Sequence, residues 1–227
     1  MLELLLACAA FVGTHLLMSH PLRAALVARL GDKGFMGLYS LVSFATLGWV
    51  VVAFRAAPAA APLWAVGDGL WMAASALVWL AMLMISGSLK GNPAAPGPDA
   101  ATLLERPATG MFAISRHPMM WGFALVSFSH MAVAPMAANL ILWGAMAFLA
   151  LAGAAGQDRK KAKLLGDGWK GWQARTSFLP FGLQLSGRAS WGAALPSLPV
   201  LLIGTLIWLA VTWGHRGLGA GIWRWIG

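Results

Sequence analysis

The chain has 227 residues, of which 59% are hydrophobic and 10% charged, with a mean hydropathy of +0.73 and a formal net charge of +9. So apolar a composition cannot supply a water-facing surface, which excludes a soluble globular domain and predicts an all-α, polytopic helical bundle whose main partner is the lipid bilayer. The basic excess, with a pI near 10.9, is divided among short loops instead of forming one patch, so no nucleic-acid partner is expected.

Apolar runs of about the 20 residues needed to cross a bilayer fall at 2–19, 35–54, 69–89, 118–135, 137–156 and 191–213. Six spans are predicted, in a single transmembrane domain covering 1–227 with loops at 90–117 and 157–190. In the first span Glu3 stands where a cleavable signal carries positive charge, so the span is expected to remain. Cys8 is the only cysteine, which excludes an intrachain disulfide, a Cys-x-x-Cys-His haem attachment and a thiolate cluster. Arg23, Arg29 and Lys33 follow the first span, Lys90, Arg106 and Arg116 the third, and a run from Arg159 to Arg188 the fifth. Only Arg55, Arg216 and Arg224 fall on the other side. Cytoplasmic loops retain Lys and Arg, so both termini are expected outside the cytoplasm.

In the first long loop, Gly91 to Pro98 reads as a Pro/Gly-rich turn, and Asp99 is placed to cap a short helix ending at Glu105. The loop closes on Ser115-Arg116-His117-Pro118. Pro135 leaves only a tight turn between the fourth and fifth spans, and Pro196 and Pro199 are expected to kink or delay the sixth. The second long loop begins as a charged continuation of the fifth span; its Trp169, Lys170, Trp172 and Arg175 suit an amphipathic segment at headgroup level. Gly144, Gly153 and Gly156 read as points of close helix approach.

His15 and His130 carry the chemistry. An ionisable ring in hydrocarbon must find partners or costs several kcal/mol, so each is a functional candidate, with helix-to-helix hydrogen bonding as the alternative. At about 1.5 Å per residue they lie roughly 12 and 18 Å in from the same edge, both near mid-membrane. His117, thirteen residues before His130, is turned from it by about 220° and cannot face the same ligand; it and His20 sit at the boundary, where water or lipid phosphate would satisfy them. Zinc or di-iron would need further His, Cys or carboxylate ligands, and the only acidic residue inside a span is Glu3. Haem b needs one or two axial ligands in an apolar, aromatic pocket, for which Phe11, Phe44, Phe123 and Phe128 are available.

A resemblance over nearly the whole chain adds to this. Gly13-Thr14-His15, the run Arg23 to Gly31, Gly37 to Ser43, then Ser115 to Phe123 and His130 look like the NnrU family, the bacterial relative of plant and cyanobacterial zeta-carotene isomerase. The resemblance implies a bacterial inner-membrane protein with haem b held by His15 and His130, and an isomerase-like or redox- or gas-sensing chemistry linked to denitrification. It implies a lipophilic polyene or small gas as ligand and leaves homo-oligomer formation open. The isomerase pattern has Cys three residues before the second ligand; here it is Ser127.

A second resemblance uses the same residues. Arg116-His117-Pro118-Met119-Met120-Trp121-Gly122, then Asp158-Arg159 and Pro180, are similar to the membrane methyltransferases of the isoprenylcysteine type, which bind S-adenosylmethionine. The family's tyrosine is Met120 and its acidic pair is Asp158-Arg159 here, which implies a shared scaffold with an altered site. Arg116 and His117 are then expected to be polar anchors for Asp158 or for a haem propionate. A haem protein, a methyltransferase-like protein and a non-catalytic assembly factor for nitrite or nitric oxide reduction are the three classes carried forward.

Overall fold

The computed structural model describes residues 1–94 and 100–226, and every regular element among them is helical. In chain order these are α1 (Leu2–Ser19), α2 (Arg23–Arg55), α3 (Asp68–Gly87), α4 (Ala100–Glu105), α5 (Met111–Ile114), α6 (Pro118–Val133), α7 (Ala137–Arg175), α8 (Gly182–Leu185), a 3-10 turn at Trp191–Ala194, α9 (Leu198–Gly214), a second at Arg216–Leu218 and α10 (Trp223–Ile226). The expected helix ending at Glu105 is present as α4, while its proposed cap Asp99 lies outside the described residues.

Four helices, α1, α2, α3 and α7, are long and apolar enough to cross a membrane. The other two expected spans, α6 and α9, are apolar but have only 16 and 17 residues, about 25 Å of helix at 1.5 Å per residue. Proline explains both. Ala134, which precedes Pro135, leaves helical geometry and ends α6. Pro196 interrupts the chain after the 3-10 turn, so α9 starts at Leu198 with Pro199 in its first turn, where the missing N–H is not needed.

Two long helices bend at glycine. Gly31 (φ 68°, ψ 170°) separates the basic start of α2 from its apolar body, and Gly166 (φ 53°, ψ −126°) divides α7; both conformations are open to a residue without Cβ. The charged continuation of the fifth span is therefore real. Its two indoles do not make the outward face of an amphipathic segment, however. Trp169 is fully buried and Trp172 nearly so, packed with Ala94 and Leu104, and the Arg175 guanidinium donates to the Leu104 carbonyl. The indoles form a small core with Ala94 and with Leu104 of α4.

The principal helices pack in a row: α2 on α1, α1 on α7, α7 on α6, α6 on α3, and α3 on α9. Glycine sets two of these contacts. A Cβ on Gly122 would stand 3.0 Å from the Ala81 carbonyl, and one on Gly204 3.0 Å from the Leu83 Cα. Gly144 and Gly153, by contrast, have nothing within 4 Å and are not points of close approach. One end of the row gathers Arg23, Arg116, Asp158 and Lys160; the other gathers Asp68, Arg216 and Arg224, with Arg224 paired to Asp68 at 2.7 Å.

Candidate functional site

His15 and His130 are held alike. Each Nδ1–H donates 2.8 Å to the carbonyl four residues earlier, Phe11 for His15 and Val126 for His130. The bond fixes the ring against its own helix and leaves Nε2 with the free lone pair, the arrangement in which an imidazole serves as a ligand.

The structure places the two rings on different cavities. His15 lines one of about 500 Å³ between α1, α2, α6 and α7, walled by Phe11, Phe35, Tyr39, Phe123 and Met146. Met120 and Ser127 face it from α6, the Ser127 hydroxyl donating 2.8 Å to the Phe123 carbonyl. Of the aromatics expected around a ligand, Phe11 and Phe123 are there, whereas Phe44 (73% exposed) and Phe128 (37%) face outward. His130 lines a smaller cavity of about 120 Å³ between α3, α6 and α9, with its ring centroid 6.5 Å from that of His215. Trp143 stands between the sites. It lines the His15 cavity, and its indole stacks on His130 at 4.0 Å.

At its basic end the His15 cavity is rimmed by His20, Arg23, Gln157 and Lys160. Arg23 has a loose contact of 3.8 Å with the exposed Asp32. Burial, then the charges of Arg23 and Lys161, push the Lys160 ammonium below its ordinary value; burial and Lys160 do the same to His20. His20 fits because residue 156 is glycine: a Cβ there would fall inside the imidazole.

Arg116 and His117 form a separate cluster. The Arg116 Nε donates to both oxygens of Asp158 at 3.0 and 2.9 Å, its Nη2 donates to one of them, and His117 Nε2 donates to Oδ1 at 2.7 Å. Burial alone would raise the Asp158 carboxyl, but these hydrogen bonds and the positive charges outweigh it and hold the group down at about 2. His117 is buried, so it is satisfied by Asp158 and not by water or lipid phosphate, and its Nδ1 has no hydrogen-bond partner among the described residues. The reason is α7, which runs on past the apolar stretch and brings Asp158 against the start of α6. Asp158, one of the two partners expected for Arg116 and His117, is thus in contact with both.

Residues 3–221 match the family described as NnrU protein. The chain belongs to the NnrU family. No curated protein and no solved structure matches it. In this NnrU chain the Arg-His-Pro segment thus ties the start of α6 to α7. Trp143, Tyr39 and the rim cations are the site residues that sequence reasoning missed. Arg23 and Lys160 had a signal, as basic residues just beyond two span ends; Trp143 had none.

Proposed function

We propose that this NnrU protein is a membrane haem-b protein whose cavity between α1, α2, α6 and α7 holds the group through His15. The carrying observation is an imidazole with a tied Nδ1 and a free Nε2 on an apolar, aromatic cavity. That donor set fits a haem. It does not fit a zinc or di-iron site, since no three His, Cys, Asp or Glu side chains converge among the described residues. When bound, a haem would supply redox chemistry and a centre for a small gas or polyene.

The chain's own residues have distinct tasks in this reading. His15 binds from α1; Phe11, Phe35 and Phe123 exclude water; Trp143 closes the opposite wall. His130, behind Trp143 on the neighbouring cavity, would be the second residue to hold the group. Ser127 gives the cavity a hydroxyl already bonded to backbone, where thiol-based ligand exchange is not available, which favours redox or gas sensing over carotene isomerisation. A link to denitrification, six spans with both termini outside the cytoplasm, and a bacterial inner-membrane location belong to the same proposal. The basic residues at one end of the row support the topology, and the resemblance set out above implies the rest.

Protein purified from haem-replete cells is expected to show a Soret band and protohaem in a pyridine haemochrome assay. His15→Ala should lose most of the haem. His130→Ala should convert a low-spin spectrum to high spin, and His215→Ala should leave it unchanged. Colourless wild-type protein would end the reading; full low-spin haem in the His15→Ala, His130→Ala double variant would end the ligand assignment.

A further inference from the structure

The rim of the His15 cavity is built from three elements that converge only in the fold: His20 from the end of α1, Arg23 from the start of α2 and Lys160 from α7. Among the described residues no acidic side chain lines the cavity. The nearest carboxylate on α7, Asp158, is engaged by Arg116 and His117, and Asp32 meets Arg23 at 3.8 Å, largely in solvent. Lys160 has no ion pair among the described residues, and it lies close enough to Arg23 and His20 for mutual repulsion. Partly buried cations that repel one another and face a common opening make a site for an anion. The same cavity is apolar below the rim. Its occupant is therefore an amphiphile with a greasy body and an anionic edge. His20 lies five residues beyond His15, about 7.5 Å along a helix axis, the scale of half a porphyrin.

We propose that Arg23, Lys160 and His20 bind the two propionates of the haem, and that Arg116 and His117 do not. The assignment rests on the haem reading above. Gly156 is part of the device, since its missing Cβ leaves the His20 ring its place at the rim.

The test titrates the detergent-purified apoprotein from haem-deficient cells with haem and with haem dimethyl ester, following the Soret band. The ester keeps the macrocycle and the iron but removes both charges. The wild type should bind free haem at least about tenfold more tightly than the ester, as expected for loss of partly buried charge-assisted bonds. Arg23→Gln with Lys160→Gln should erase that preference while leaving ester affinity unchanged, which also shows that the double variant folds. Lys163→Gln, an exposed cation of the same helix, should behave as wild type. Equal binding of haem and ester by the wild type, or a preference that survives the double variant, overturns the rim assignment and leaves the haem reading standing. Binding of neither form overturns both. A preference abolished by phosphatidylglycerol doped into the micelles would assign the rim to a lipid headgroup instead.

Discussion

At the scale of single residues the strongest electrostatic feature is Asp158 between Arg116 and His117. A carboxyl held at about 2 in the folded chain and near 4 when unfolded contributes stability that is complete above about pH 4 and fades as pH falls toward 2. The melting temperature of the detergent-solubilised wild type should therefore drop more steeply from pH 4 to pH 2 than that of Asp158→Asn; parallel curves would contradict the coupling. At pH 7 Asp158→Asn leaves a largely but not fully buried guanidinium without its counter-ion and should cost about 3 kcal/mol. The same pairing bears on methyl transfer. With its carboxylate occupied, the Arg-His-Pro segment is expected to give no calorimetric signal with millimolar S-adenosylmethionine; micromolar binding lost in His117→Ala would favour the methyltransferase alternative. His15, His130, Arg116 and His117 could be singled out in the sequence because each is polar where its neighbours are apolar or at an apolar boundary. Trp143 could not. Thirteen tryptophans look alike until packing sets one of them on His130.

At the scale of elements, helix existence was legible from apolar run length, and the ends that moved were governed by proline and glycine. The start of the sixth span shifted past Pro196, and α2 begins twelve residues before its apolar run because Gly31 joins a basic turn to it. Which glycines allow close packing was not legible, since helical spacing does not reveal the neighbour. Gly204→Val forces side-chain atoms into the Leu83 backbone, where overpacking typically costs 1–3 kcal/mol, and should lower the melting temperature clearly. Gly144→Val meets open space and should leave it nearly unchanged. The opposite ranking would mean that α3 and α9 do not approach as described. The burial of Trp169 and Trp172 was missed for a related reason: their partners, Ala94 and Leu104, come from a distant segment.

At the scale of the molecule, the basic end of the row makes a topological statement. A reporter fused after Lys161 should be active only in a cytoplasmic format and one fused after residue 226 only in a periplasmic format; reversal of both would invert the chain in the membrane. Membrane character and the helical class were legible from composition, because hydrocarbon permits few other backbones. The order of helices across the row was not, since loop lengths allow several neighbours for each span. That order leads to a question of access. Phe123 belongs to the wall of the His15 cavity and is also 48% exposed, so an opening past its ring would give on to the acyl chains of a surrounding bilayer. A guest would arrive by lateral diffusion within the leaflet, and its loading rate would follow its concentration per unit of lipid and not per litre of buffer. Diluting vesicles at a fixed guest-to-lipid ratio should leave that rate unchanged, whereas adding empty vesicles should slow it.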